Sequence, residues 1–463
     1  MILEIKPAVK PELDPGFVPA VLWNRAFREA VAATGKGRKI VIALNRPNGT
    51  CSTYPTEIFP DDAQYRELNV KYVERIVKFM LWMKGGYRVV IAGAPEVAAE
   101  LAKIYSADGK RAFDFEIMGE RIYGRPFEVV SVPFGEAPES KEIEVALGGH
   151  MEGCRIGFDL GGSDRKCAAV KDGEVVFTEE VRWDPYFEKD PDYHKAGIID
   201  SIERAAAHLP RLDSIGGSSA GVLVDNQPRI ASLFRGVSKE DFSAKVVNIF
   251  NDVQKKFNVP LIVANDGEVT ALAAAMSMKC NGVLGISLGT SLAAGYVNLS
   301  GNITDWLDEL AFTPVDYREN GPVDEWSGDE GCGVQFFSQQ GVARLAPLAG
   351  LDFPAEMKFP ERLVEVQKLM EQGDQRAAAI YRTIGACFGY AIAHYADFYE
   401  LRNLLILGRV TSGEGGEIIL KVAEETLKTE FPELAKQITF RIPDEQFKRH
   451  GQAVIAASLP EIK

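Results

Sequence analysis

One stretch of this chain occurs twice. Gly157-Phe-Asp-Leu-Gly-Gly-Ser163 and Gly285-Ile-Ser-Leu-Gly-Thr-Ser291 agree at four of seven positions and lie 128 residues apart. Each copy runs on into a short apolar segment, Cys167-Ala-Ala-Val170 and Leu292-Ala-Ala-Gly-Tyr-Val297. Each then reaches a turn whose glycine, Gly173 or Gly301, keeps the same offset. A chain that repeats itself this way must build one supersecondary unit twice. The unit reads as strand, glycine turn, strand, turn, strand, once in each of two lobes. At the first turn the backbone bends without bulky side chains, so its N–H groups can approach an anion closely and neighbouring hydroxyls can add hydrogen bonds. Either hairpin alone also reads as an ordinary tight turn, because glycine is the default residue there. The matched pair points instead to two bends that grip a polyphosphate from both sides of a cleft.

Composition narrows the class. A chain of 463 residues supports two or three domains, and its 46% apolar and 25% charged content is that of a globular protein. The formal charge of −14 comes without a basic tract, which excludes a nucleic-acid surface. No apolar run reaches the roughly 18 residues of a membrane helix, and the opening Met1-Ile-Leu-Glu-Ile-Lys-Pro7 lacks the pattern of a signal peptide. A cytoplasmic location, with no membrane partner, is expected. The six cysteines include no Cys-x-x-Cys pair and read as reduced, mostly buried thiols.

Residues 1–150 read as a separate α/β unit of unknown role. Arg38-Lys-Ile-Val-Ile-Ala-Leu44 and Tyr87-Arg-Val-Val-Ile-Ala92 are strand-like, and helices are predicted over about 62–84 and 95–105. In the first of these, Leu68, Tyr72, Val73, Ile76, Val77, Met80 and Met83 form one apolar face, and Gly85-Gly86 stops it. Met80-Leu-Trp-Met83 reads as core. Glu136-Ala-Pro-Glu-Ser-Lys-Glu142 reads as a linker or exposed loop. Beyond it, a first lobe over 151–280 and a second over 281–463 alternate strands with helices, the last helix returning to the first lobe. Pro260-Leu-Ile-Val-Ala264 is a strand that delivers Asn265-Asp266 at its end. Gly408 to Gly416 is a glycine-rich loop after the strand Asn403-Leu-Leu-Ile-Leu407. The pattern argues for two α/β lobes around a cleft.

From about residue 155 onward, five segments in order resemble the ROK family of sugar kinases and repressors, within the actin-like ATPase and sugar-kinase superfamily. They are Arg155 to Ser163, Val263 to Ala273, Gly285 to Ser291, Leu405 to Ser412 and His450 to Ala457. The resemblance implies a two-lobed actin-like ATPase (ribonuclease-H-like) fold carrying an extra N-terminal α/β domain. It also implies an ATP- and Mg²⁺-dependent phosphotransferase acting on a sugar or sugar-like polyol, and a homodimer. By the same resemblance Asp266 is the general base, and Asn265 and Glu309 contact the acceptor. Gly161, Gly162, Ser163, Gly289, Thr290 and Ser291 hold phosphate. Gly408 and Arg409 border the adenosine, and Asp159 holds Mg²⁺. Asn265-Asp266 also has the form of a helix N-cap. A sugar- or nucleotide-binding sensor that keeps the fold without catalysis is the alternative.

The departures are specific. The family's Glu-x-Gly-His segment resembles Glu309-Leu-Ala-Phe312 here, with phenylalanine in the histidine's place. Of its cysteine-rich zinc motif, Gly328-Asp-Glu-Gly-Cys-Gly-Val-Gln335 keeps Cys332, and Val334 falls near the sugar-binding glutamate. No structural zinc is expected. Trp326, Asp329 and Glu330 are candidates either to replace those sugar contacts or to form an acidic surface loop. Asp164, beside the first hairpin, is expected to point outward.

Overall fold

The computed structural model describes residues 3–145, 148–441 and 447–462. The N-terminal portion carries β1 (Arg38–Asn45), β2 (Cys51–Ile58), β3 (Arg88–Ala92) and β4 (Glu128–Val132) in the order β2-β1-β3-β4. After it, the short strand β5 (Glu144–Val145) leaves this sheet and pairs with the second lobe.

The first lobe contains β6 (Cys154–Leu160), β7 (Asp164–Lys171), β8 (Glu174–Arg182), β9 (Ser214–Ser219), the hairpin β10 (Val222–Val224) and β11 (Gln227–Ile230), and β12 (Leu261–Asn265). Its sheet runs β12-β9-β6-β7-β8: β6, β7 and β8 are antiparallel, and β9 and β12 lie parallel to β6. The second lobe contains β13 (Val283–Leu288), β14 (Leu292–Val297), β15 (Ile303–Thr304), β16 (Asn403–Leu407) and β17 (Thr439–Arg441). Its order, β17-β16-β13-β14-β15, repeats the first with the same directions, and β5 extends its edge. The duplicated segments are therefore duplicated strands. This is the two-lobed actin-like architecture, preceded by an α/β portion.

The lobes exchange helices. Helix Asp266–Met278 leaves the first lobe and packs on β13 and β14. Gly267 and Gly295 permit that approach, since a Cβ on either would overlap backbone of the other segment. Helix Phe447–Ala457 leaves the second lobe and packs on β6 and β9 of the first, where Gly157 and Gly216 lie against the Ala453 and Ala456 carbonyls. Glycine is required there because two backbones meet in contact.

Helix Arg66–Lys84 departs from the amphipathic pattern. Every residue from Tyr72 to Met83 is buried, including Glu74, Arg75 and Lys78. The helix lies between the N-terminal sheet and the second lobe, inside one continuous apolar core. Phe79 stacks on Phe398 at 4.1 Å between ring centroids and meets His394 edge-on at 4.6 Å. The chain before it runs along helix Gln375–Ala396: the Leu13 amide donates to Thr383 Oγ1 at 3.0 Å, and Tyr390 donates to the Val9 carbonyl at 3.0 Å. The 136–142 segment is tied down as well. Lys141 exchanges two backbone hydrogen bonds with Cys51, and Glu142 accepts from Arg46 at 2.6 Å and from the Trp306 indole at 3.1 Å.

Candidate active site

Strand direction assembles the site. The C-terminal ends of β6, β9 and β12 gather at one edge of the first lobe's sheet, and those of β13 and β16 at one edge of the second's, the kind of edge where ligands of parallel α/β sheets gather. At the end of β6 the first hairpin closes with the Gly161 amide donating to the Asp164 carbonyl at 2.9 Å. The Trp183 indole clamps it by donating to the Gly161 carbonyl at 2.8 Å. In the second hairpin Gly289 donates to the Ser291 carbonyl at 2.9 Å, and the Gln339 amide donates to the Gly289 carbonyl at 2.9 Å. Among the described residues, the amides of Gly162, Ser163, Thr290 and Ser291 have no backbone acceptor. They are the donors an anion needs.

Gly408 adjoins the second hairpin. Its φ is +107°, and a Cβ there would overlap the Leu288 backbone, so the loop after β16 is pressed against the hairpin. Arg409 is exposed beside it, with its carbonyl accepting from Gln367 at 2.9 Å.

Three carboxyls lie within electrostatic reach of one another in turn: Asp159 acts on Asp266, and Asp266 on Glu309. Asp159 on β6 is buried and lies opposite Lys166 on β7, whose ammonium is 3.7 Å away. Burial raises its carboxyl, and Asp164 adds to that, while Ser218 and Lys166 oppose it. Asp266 opens helix Asp266–Met278 and accepts from the Gly267 amide at 3.0 Å. Burial first, then the nearby charge of Asp159, pushes its carboxyl up to about 6. Glu309 lies at the second lobe's edge and is pushed to about 7 by burial, then by Asp266 and Asp308. Its amide is held by the Trp82 carbonyl at 2.9 Å, so the end of helix Arg66–Lys84 sets its position. A carboxyl near 6 in a cleft has the form of a general base.

Asn265 is an N-cap in the structure. Its side-chain oxygen accepts from the Gly267 amide at 2.7 Å, its amide donates to the Gly221 carbonyl at 2.8 Å, and Glu268 accepts from its backbone N–H at 3.1 Å. One N–H of its carboxamide remains for a ligand. Asp164 does not point away, contrary to expectation. It lies two residues from Lys166 on the same strand face, bonds that ammonium at 3.2 Å, and accepts from the Ser163 hydroxyl at 2.9 Å. The alternation of a strand puts 164 and 166 on the face Asp159 occupies. That signal was present in the spacing.

An aromatic cluster lies beside Glu309. Phe312 packs on Trp82 at 4.3 Å and Trp326 at 5.1 Å between centroids. Val334 and Cys332 are buried, and the Cys332 thiol points at the Phe312 carbonyl, 3.7 Å away. Asp329 is neither a surface residue nor placed to meet a sugar: it is 1% exposed. It pairs with Arg111 and lies 3.5 Å from both Arg75 and Lys78. Glu74 and Asp114 complete the network, bonding Arg111 at 2.7 Å and Lys78 at 2.6 Å. Sequence reasoning missed these partners because they come from the N-terminal portion. It also missed Asp308, which adopts a left-handed backbone (φ +50°) and accepts from Tyr399 at 2.6 Å.

Residues 155–456 match the ROK family. The chain belongs to that family. No curated protein matches it in sequence. Among solved structures it is similar to the ROK hexokinase of Thermus thermophilus, at 17% identity and a TM-score of 0.52, over 66% of this chain and 96% of the other. It is also similar to a ROK family transcriptional regulator described as a homologue of the E. coli MLC protein. That likeness has 20% identity and a TM-score of 0.53, over 67% of this chain and 79% of the other. These likenesses speak to the ROK fold, which thus serves both a kinase and a regulator. Among the described residues, no helix is long and apolar enough to cross a membrane.

Proposed function

We propose that this ROK protein is an ATP-dependent phosphotransferase acting on a hydroxyl of a sugar or sugar-like polyol. The observation that carries the reading is Asp266. It opens the helix at the end of β12, burial and the charge of Asp159 push its carboxyl up to about 6, and its charge reaches Glu309. Asp266 accepts the proton of the acceptor hydroxyl as that oxygen attacks the terminal phosphoryl group, a contribution of about 10²- to 10⁴-fold. Glu309 accepts hydrogen bonds from neighbouring hydroxyls and, with the remaining N–H of Asn265, orients the acceptor. The amides of Gly162, Ser163, Thr290 and Ser291 bind phosphate oxygens, and Gly408 and Arg409 border the base.

The donor set suits a nucleotide with its metal. Mg²⁺ takes one or two carboxylates together with phosphate oxygens, and Asp159 is a buried carboxylate next to the first hairpin. Bound there, the ion supplies charge neutralisation for phosphoryl transfer. Lys166, 3.7 Å from Asp159, keeps part of that charge balanced in the protein itself.

The aromatic cluster around Phe312, in which Trp82 and Phe312 are buried and Trp326 is exposed, supports an acceptor that meets an apolar edge at Trp326 rather than plain glucose. It also supports the second reading, a sensor that binds a ligand without turnover, because two polar sugar contacts of the family are replaced by Phe312 and Val334. ADP release measured across hexoses, amino sugars and polyols separates the two. Stimulated turnover abolished by Asp266→Asn is the kinase outcome. No stimulation by any acceptor, or turnover that survives the substitution, overturns it.

A further inference from the structure

The first hairpin poses an electrostatic problem. A nucleotide brings several negative charges to a chain of formal charge −14, and the hairpin is flanked by Asp159 and Asp164. The ammonium of Lys166 lies between those two carboxylates, 3.7 and 3.2 Å away, so its charge is already matched. Beyond the Mg²⁺ that Asp159 would hold, a cation of the protein's own at this hairpin would tighten phosphate binding.

Two loops at the same edge of the lobe supply one. Tyr186 follows β8, and its hydroxyl end rests on Gly162, so that a Cβ at Gly162 would overlap the ring. Arg235 follows β11, with its guanidinium over the Tyr186 ring at 4.1 Å and the Phe187 ring at 5.1 Å from the centroids. Gly236 packs against the Phe187 and Glu188 backbone, fastening the two loops together. Among the described residues Arg235 has no carboxylate partner. Stacking occupies the face of the guanidinium and leaves the N–H edge free, the edge that binds phosphate oxygens in a bidentate manner.

We infer that Arg235 is a phosphate-binding residue of the nucleotide site, gripping the terminal phosphates at the first hairpin, with Tyr186 as the platform that aims it. The inference rests on the nucleotide reading above. It adds to the hairpin amides a charge that the repeat does not contain, since the second hairpin has no counterpart of the Tyr186 loop in the duplicated sequence.

Equilibrium binding of ATP and of AMP to wild type, Arg235→Ala and Tyr186→Ala tests it, with Mg²⁺ present throughout. Loss of one charge-assisted contact predicts ATP binding weakened about 10- to 100-fold in Arg235→Ala, with AMP binding unchanged because AMP lacks the terminal phosphates. Tyr186→Ala, which keeps the charge and removes the platform, is expected to weaken ATP binding by less and again to spare AMP. Unchanged ATP affinity in Arg235→Ala overturns the assignment. So does an equal loss of ATP and AMP, which marks a collapsed pocket rather than a lost phosphate contact. Failure of the wild type to bind ATP at all is a different result: it removes the nucleotide reading itself, and this assignment with it.

Discussion

Replacing Asp266 by asparagine should make this protein more stable and less active, and the stability gain should depend on pH. In the folded chain burial and the charge of Asp159 raise the Asp266 carboxyl from 3.8 to about 6. The unfolded chain therefore ionises first as pH rises, at about 3.8, and the folded chain follows only near 6. Stability falls through that window and levels off above it. At 1.36 kcal/mol for each pH unit between the two values, the ionised carboxylate costs the fold about 3 kcal/mol at pH 8. Below pH 4 both states are protonated and the cost vanishes. Asparagine keeps an acceptor for the Gly267 amide and carries no charge, so Asp266→Asn recovers the difference. Denaturant midpoints of the two proteins should coincide near pH 4, diverge between 4 and 6, and differ by about 3 kcal/mol at pH 8. Turnover should drop about 10²- to 10⁴-fold over the same upper range. A gap of equal size at pH 4 and pH 8, or none at either, would show that no poorly solvated charge sits at 266. The case for Asp266 as a base would then lose its electrostatic ground.

The same ionisation predicts that kcat/KM falls about tenfold for each pH unit below 6; a profile flat down to pH 5 contradicts it. Asp329→Ala leaves Arg75, Lys78 and Arg111 buried around a missing carboxylate and is expected to cost about 3–5 kcal/mol, read as a lower denaturant midpoint. An unchanged midpoint would mean the network is not held by Asp329. Phe312→His, which restores the family's residue, places a polar ring among Trp82, Phe113 and Trp326 and is expected to lose about 1–3 kcal/mol of stability without raising turnover on glucose. Gain of glucose turnover at unchanged stability would refute the aromatic-wall account.

What the sequence made legible follows from where partners lie. The strands β6 to β8 and β13 to β15 were readable because glycines, apolar runs and turns recur at one offset, and all of that information is local. The place of Asp266 at a strand end was readable because a short apolar strand ends directly before it, whereas its role came only from the family resemblance. Helix Arg66–Lys84 shows the limit. Glu74, Arg75 and Lys78 mark a solvent face to any periodicity argument, since charged residues are almost never buried unless paired. Here the pairs exist, but Asp114 and Asp329 come from other elements, one of them in the second lobe. A pattern of apolar positions cannot distinguish water from a distant carboxylate. The orientation of Asp164 was different in kind: with the hairpin register known, Asp159 falls opposite Lys166, and alternation puts 164 on the same side. Tyr186 and Arg235 lie in loops with no periodicity, so only the folded chain brings them to Gly162.

The residues that replace the family's zinc motif explain why the N-terminal portion is built into the second lobe's core. Among the described residues no group of three or more His, Cys, Asp or Glu is placed to hold a metal, so other contacts have to fix this loop. Cys332 is a poor metal ligand as it stands. Burial, and then the negative charge of Asp329, push its thiol well above the ordinary range, whereas a ligating sulfur must be a thiolate. What fixes the loop instead is Asp329 among three cations of the N-terminal portion, together with Trp82 packed at a tilt on Phe312 and receiving the Glu309 amide on its carbonyl. Helix Arg66–Lys84 thus fixes the loop from outside, and it reaches Glu309 and Phe312. The aromatic ring at 312 is the contact through which that helix and the loop hold each other.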